Sequence, residues 1–280
     1  MDLFNIERLM KSAEQILSKY YNNDGWDTFD GVTEDARRWE DLRICAVEYL
    51  TKCRLRVLDH IPEFGENILD MASGPIQYPE YLAYSSKFKK RYCVDLSKKA
   101  LDAAKKKIGD HGEYFHGNFL KLEFPKNFFD CVISLHTIYH IDQSQQEEAV
   151  HKMLELVKPN KPVIIVYSNP YSLENIIFNP IKYFIKLTFY FKNKILNKKI
   201  KKNQFYFKPF NLLWWYRFKK KGKITLKTWR SFSVRTQKIF FPNNIFGKLL
   251  FKFLYFFEER LPILSLLLAT YPMIIIEKRN

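Results

Sequence analysis

The sequence predicts a doubly wound α/β fold, and three observations carry that prediction. Short apolar runs at 67–71, 91–95, 113–117, 129–135 and 162–167 alternate with helical patterns at 78–86, 97–108 and 143–157, which implies a parallel sheet with helices on both faces. Two further strand signals, at 224–229 and 271–277, bring the sheet to seven strands. The first two runs each carry an aspartate at or near their end, Asp70 and Asp95, and small residues follow the first at once in Ala72-Ser73-Gly74-Pro75. That layout suits a nucleoside-bearing ligand draped over the first strand ends of such a sheet.

In chain order, residues 1–62 read as an N-terminal helical cap. Apolar residues recur at helical spacing in Ile6-Leu9-Met10-Ala13-Ile16-Leu17 and in Leu42-Cys45-Ala46-Tyr49-Leu50, on either side of a polar, aromatic loop from Tyr20 to Asp27. Residues 63–170 hold the alternating core, with Ser97 placed to cap the second helix and Lys158-Pro159-Asn160-Lys161 to stop the third. Residues 171–208 form a basic, aromatic helical insertion. Residues 209–280 complete the sheet: an amphipathic helix at 210–221 stops at Gly222, a strand follows at 224–229, a helical insertion rich in Phe and Leu spans about 236–268, and Tyr271 to Glu277 closes the sheet. There is no internal repeat.

At 280 residues and 47% hydrophobic, the chain can bury a large core and is not of disordered composition. Its four cysteines show no C-x-x-C pair, which argues against structural zinc and against a disulfide framework and predicts no metal. The acidic and amide residues after Met1 are unlike a signal peptide, and no apolar window spans a bilayer, so a cytoplasmic protein is expected, peripheral at the inner face of the membrane if the basic segment binds lipid. The net charge of +16 is concentrated: from Asn175 to Phe257 there are 20 Lys and Arg and not one Asp or Glu, whereas residues 1–174 are mildly acidic. A segment of this kind is expected to face something anionic.

The chemistry begins at the turn after Asp70. Small residues there let backbone approach a ligand closely, and Pro75 pre-sets φ for a helix entrance. The G-x-G-x-x-G fingerprint is absent. An acid about 20 residues past Gly74, as Asp95 is, can accept both ribose hydroxyls. Each aspartate has a plainer reading as well, Asp70 as a turn cap and Asp95 as a helix cap.

Five segments in order resemble the class I S-adenosylmethionine-dependent methyltransferases. Ile68-Leu69-Asp70-Met71-Ala72-Ser73-Gly74 resembles their first motif, and Val94-Asp95-Leu96-Ser97-Lys98-Lys99-Ala100-Leu101 their second strand and helix. Gly117-Asn118-Phe119 is similar to the adenine-contacting segment, Phe129 to His136 to the fourth strand, and Leu154 to Pro162 to the helix-to-strand junction usually written L-K-P-G-G. Three positions depart from the pattern: Ala72 and Ile76 stand where glycines are commoner, Asn118 stands where an aspartate is commoner, and Ile76 implies a turn that enters its helix early. The resemblance implies a Rossmann-like methyltransferase fold with a mostly parallel seven-stranded sheet, and S-adenosylmethionine as cofactor. It places Asp70 at the amino-acid end of the cofactor, Ala72, Ser73 and Gly74 under the methionine and ribose, Asp95 on the ribose diol, Leu96, Asn118 and Phe119 around the adenine, and Leu135 and His136 beside the sulfonium.

The acceptor is expected where the fourth strand ends, in Leu135-His136-Thr137-Ile138-Tyr139-His140. Histidine titrates near neutrality, so His136 and His140 are the candidate bases for a hydroxyl proton, and Tyr139 the candidate for orienting the acceptor. Surface packing is the plainer role for either histidine. Tyr20, Tyr21 and Trp26 are the candidate lid. The expected function is O-methylation of a small-molecule, sugar or lipid-linked acceptor near an anionic membrane. An RNA methyltransferase using the basic segment is the less favoured alternative, since aromatic clusters with few arginines suit lipid better than RNA. A non-catalytic cofactor-binding or membrane-adaptor protein is a third.

Overall fold

The computed structural model describes residues 13–195 and 205–279; the expected helical positions Ile6, Leu9 and Met10, and residues 196–204 of the basic segment, lie outside them. Seven strands form one sheet: β1 (Gly65–Met71), β2 (Phe88–Asp95), β3 (Gly112–His116), β4 (Cys131–Leu135), β5 (Pro162–Val166), β6 (Gly222–Arg230) and β7 (Tyr271–Lys278). Their spatial order is β3-β2-β1-β4-β5-β7-β6. β1 to β5 are parallel, and β7 runs antiparallel between β5 and β6. The runs that build the centre are apolar on both faces: Val163 to Val166 and Met273 to Ile276 are all buried.

The helices are α1 (Ala13–Tyr20), α2 (Glu34–Trp39), α3 (Ile44–Leu55), α4 (Pro79–Ala83), α5 (Lys98–Ile108), α6 (Gln146–Leu156), α7 (Leu173–Ile195), α8 (Val234–Phe240), α9 (Ile245–Arg260) and α10 (Pro262–Leu268). α3 and α9 cover one face of the sheet, where Tyr49, Phe251 and Leu254 meet Ile68, Ile133 and Ile275. α6 covers the other, with Trp214, Trp215 and Phe218 packed beside it on Leu69, Val132 and Ile274. Ser97 caps α5 as its sequence position predicts, its hydroxyl accepting from the Ala100 N–H at 3.3 Å.

Two buried carboxylates fasten the late segments to this frame. Glu258 on α9 accepts from the Tyr49 hydroxyl at 2.7 Å, from Arg56 Nη1 at 2.8 Å and from the Ser231 N–H at 3.0 Å. Glu174 on α7 accepts from Lys182 Nζ at 2.8 Å, Ser233 Oγ at 3.0 Å and Thr270 Oγ1 at 3.0 Å. Both carboxylates are fully buried.

Three expectations are corrected. Residues 210–221 hold a 3₁₀ helix, Leu212–Lys220, in place of an α-helix. The stretch 236–268 is three helices, because Pro242 and Pro262 lack the N–H a continuing helix needs. The turn after β1 does not enter its helix early: α4 begins at Pro79, and Ile76 is a buried loop residue with φ 48°, packed beside Cys93, Leu101 and Ala104.

Candidate active site

Strand order reverses between β1 and β4, and in an open α/β sheet ligands bind outside the carboxyl ends of the strands at such a switch point. A cavity of about 460 Å³ lies there, with a smaller one of about 70 Å³ beside it. The larger volume is within the range that holds a drug-sized ligand. Ala72, Asp95, Leu96, Thr137 and His140 line both, so the two are adjoining parts of one site.

The turn after β1 forms the floor. Ala72 has φ 60° and Gly74 φ 55°, and His136, just past β4, has φ 59°. A left-handed alanine costs about 1–2 kcal/mol, and such strain concentrates at functional sites. At Gly74 a side chain is disfavoured twice: the left-handed φ strains it, and a Cβ would lie a tight 3.2 Å from the Trp26 ring. Trp26 stacks on Tyr21 with ring centroids 4.9 Å apart, and both line the large cavity. The expected loop is therefore a π-helical turn, Tyr21–Gly25, that lays two aromatic rings over the glycine turn. Tyr20 packs edge-on to Phe205, which also lines the cavity.

Asp95 is the best-placed carboxylate. Oδ2 accepts from the Gly74 N–H at 2.8 Å and Oδ1 from the Ser97 N–H at 2.8 Å. Burial pushes its pKa up to about 6, against those two hydrogen bonds, which lower it. A carboxylate offers about four lone-pair positions, so each oxygen keeps one for a ligand hydroxyl.

Asp70 lines the cavity, but its carboxylate is engaged. Arg91, fully buried, donates Nε to Asp70 Oδ2 at 3.2 Å and forms a second, closer bond through Nη2. Asp70 is thus tied to β2 through its Oδ2. Asn118 is engaged as well: Nδ2 donates to Glu14 on α1 at 2.8 Å, and Oδ1 accepts from the Leu120 N–H at 2.9 Å. It lines the small cavity with Leu96 and Phe119.

The far wall follows β4. His136 packs edge-on against Trp229 and Tyr271, with ring centroids 4.6 and 5.1 Å away, and burial holds its pKa well below the usual histidine value. His140 Nδ1 donates to the Tyr206 carbonyl at 2.7 Å, which leaves Nε2 as the ring's lone-pair acceptor. Burial lowers its pKa to about 4, so the ring is neutral at physiological pH. Leu135, Tyr139 and Ser73 also line the large cavity.

Sequence reasoning missed the remaining wall, made of Tyr78, Tyr81, Glu40, Asp35, Arg230 and Tyr271. Arg230 lies over the Tyr271 ring at 4.7 Å and pairs with Glu40 at 3.3 Å. Asp35 is pushed up to about 7 by burial, and it accepts a weak hydrogen bond from the Tyr21 hydroxyl at 3.4 Å. These residues come from α2 and its C-cap, the loop before α4, α4 itself and the last two strands, which meet only once the sheet is assembled. Among the described residues no cluster of His, Cys, Asp or Glu is arranged to hold a metal ion.

Residues 69–165 match the family model of a methyltransferase domain. With the strand order and the switch-point site, this makes the core a methyltransferase domain of the class I S-adenosylmethionine-dependent type. The chain is similar to the ubiquinone/menaquinone biosynthesis C-methyltransferase UbiE of Francisella tularensis subsp. novicida, 27% identical over 124 residues; the match covers 39% of this chain and 48% of that protein. The chain thus spans about half the length of that curated relative. In fold it is similar to a DhpI–SAH complex, with TM-score 0.57 and 10% identity over 96% of this chain and 98% of the other. It is also similar to a SAM-dependent methyltransferase from Archaeoglobus fulgidus, with TM-score 0.52 and 16% identity over 82% and 94% of the two chains.

The residues fit the family's cofactor. A left-handed glycine turn tight under Trp26, a buried acid with acceptor positions free and an apolar side cavity are what a ribose, its methionine tail and an adenine require. Asp95 would hold the ribose hydroxyls, the turn 72–74 the methionine tail, and Leu96 and Phe119 the adenine.

Proposed function

We propose that the protein transfers a methyl group from S-adenosylmethionine to a hydroxyl of a small-molecule, sugar or lipid-linked acceptor. The observation that carries this reading is a single cavity in which the Asp95 end adjoins a histidine-lined, aromatic far wall. When bound, S-adenosylmethionine supplies an electrophilic methyl on a sulfonium.

The chain's own residues position and deprotonate. Tyr78, Tyr81 and Tyr271 offer flat apolar faces that exclude water around an acceptor, and Arg230 and Glu40 offer polar contacts at its edge. His140, neutral and fixed through Nδ1, is the candidate base: Nε2 is the atom free to take a hydroxyl proton. Asp35, half protonated near pH 7, is the other group in the cavity able to exchange a proton at physiological pH. Tyr139 lines the same cavity and is the candidate to orient the acceptor.

The test is turnover with S-adenosylmethionine carrying an isotopically labelled methyl, against a panel of phenols, sugars and lipid-linked saccharides, with products identified by mass spectrometry. A methyl ether is the expected product. His140→Gln is expected to lower kcat by about 10²-fold or more while cofactor affinity changes little. A methyl found on nitrogen or carbon would overturn the hydroxyl assignment, and an undiminished kcat in the variant would remove His140 as the base.

A further inference from the structure

Helix α9 is apolar almost all round, which in a water-soluble chain calls for cover on both sides. Its inward side is covered: Phe251, Leu254 and Glu258 are buried against α3 and the sheet. Its outward side is not. At 100° per residue, Ile245, Phe256, Leu249 and Phe253 fall within an arc of about 80°. All four are exposed, Ile245 at 73% and Phe253 at 67%. Lys252 and Lys248 flank that arc on the same side, both exposed.

The same exposure continues over the neighbouring helices. α10 packs against both α9 and α7, so the three make one block. On α10, Ile263 and Leu267 are exposed, Ile263 at 80%. On α7, Ile177, Ile181 and Phe184 share a face and are exposed. The buried Glu174–Lys182 pair holds the root of α7 to α8 and β7. Residues 175–257 hold no acidic residue; the acids at the helix ends are neutralised by partners, Glu174 by Lys182, Glu258 by Arg56, and Glu259, exposed beside Lys252, by Arg56 at 2.8 Å.

We infer that the outer face of α7, α9 and α10 seats the protein on an anionic lipid bilayer. Apolar side chains enter the interface while flanking lysines reach the headgroups, the arrangement by which amphipathic helices lie in a membrane plane. No described helix is long and apolar enough to cross a membrane, so the contact is with one leaflet. The charge pattern selects this occupant over a second copy of the chain, whose equal positive charge would oppose it. Clustered aliphatic and aromatic side chains select it over RNA, which is read by stacking platforms set within a basic groove. Binding of this kind needs no turnover, so it stands apart from the methyl-transfer reading.

The test is flotation of the full chain with vesicles of phosphatidylcholine alone and with phosphatidylglycerol added, together with S-adenosylhomocysteine titration and sedimentation of each variant. The protein is expected to float with the anionic vesicles, to bind neutral ones at least tenfold more weakly, and to be released by salt. Lys248→Glu/Lys252→Glu should weaken binding tenfold or more, since each lysine removed near such a surface costs severalfold. Leu249→Ser/Phe253→Ser should do so without changing salt sensitivity. All four positions are exposed, so thermal stability and S-adenosylhomocysteine affinity are expected to stay at the wild-type level in both variants. Three results would each overturn the inference: no flotation with anionic vesicles, flotation unaffected by both double variants, or salt-sensitive binding of single-stranded RNA by a protein that ignores vesicles. A stable dimer that loses its association on Leu249→Ser/Phe253→Ser and binds no vesicle would assign the face to a second copy.

Discussion

Replacement of Asp95 by Asn is expected to weaken S-adenosylhomocysteine binding by about 10- to 150-fold. In the wild-type site each carboxylate oxygen accepts one backbone N–H, from Gly74 and from Ser97, both at 2.8 Å, and each keeps one lone pair for a ribose hydroxyl. The amide keeps one acceptor and puts an NH₂ where the other stood. One charge-assisted hydrogen bond to the ligand is lost, worth about 1.5–3 kcal/mol, and every 1.4 kcal/mol is about tenfold in Kd. The NH₂ also faces a backbone N–H, so the turn itself loosens and the upper part of the range is favoured. Calorimetric titration at about pH 8, above the raised pKa of about 6, reads the full effect. An Asn variant that melts like the wild type and binds within about twofold of it would refute the assignment of Asp95 to the ribose.

Other consequences are independent of that substitution. Because Asp95 titrates near 6, S-adenosylhomocysteine affinity should be flat above about pH 7 and fall below 6, approaching tenfold per pH unit. The ligand-free protein should show the opposite trend: with its folded pKa above the ordinary aspartate value of 3.8, Asp95 binds a proton more tightly when folded, so its share of stability is lost as pH rises from about 4 to 6, which urea titration at stepped pH can follow. Ala72→Gly should raise stability by about 1 kcal/mol in urea unfolding, since glycine adopts φ 60° without the alanine's strain, and should leave ligand affinity unchanged. Gly74→Ala should act in reverse, weakening S-adenosylhomocysteine binding at least tenfold in calorimetry as its Cβ displaces Trp26. Glu258→Ala should cost about 1–3 kcal/mol in urea unfolding, because the buried Tyr49 hydroxyl and Ser231 N–H lose their acceptor while Arg56 keeps Glu259 at 2.8 Å.

The strands and the floor of the site were legible in the sequence because they depend on local patterns. Runs such as Pro162 to Val166 can only be covered on both faces, and Asp95 at a strand end followed by Ser97 is a local cap whatever binds there. Ala72 showed as a departure from glycine, and its positive φ is why glycine suits that position. Ile76 misled because a β-branched residue gives no hint of left-handed backbone; tertiary burial beside Cys93 and Leu101 compensates its strain. Arg91, which claims the Asp70 carboxylate, lies one strand away, and no spacing rule links the two. The acceptor wall was hidden for the same reason at longer range: Glu40 and Arg230 are 190 residues apart and meet only at the assembled sheet end. The breaks at Pro242 and Pro262 were visible and should have divided the stretch 236–268.

The most direct test of the account is a structure of the protein with S-adenosylhomocysteine bound. The account predicts both ribose hydroxyls at about 2.5–3.0 Å from the Asp95 carboxylate oxygens, the adenine between Leu96 and Phe119, and the sulfur facing the His136–His140 wall. A ligand seated elsewhere, or turned so that its ribose avoids Asp95, would contradict it.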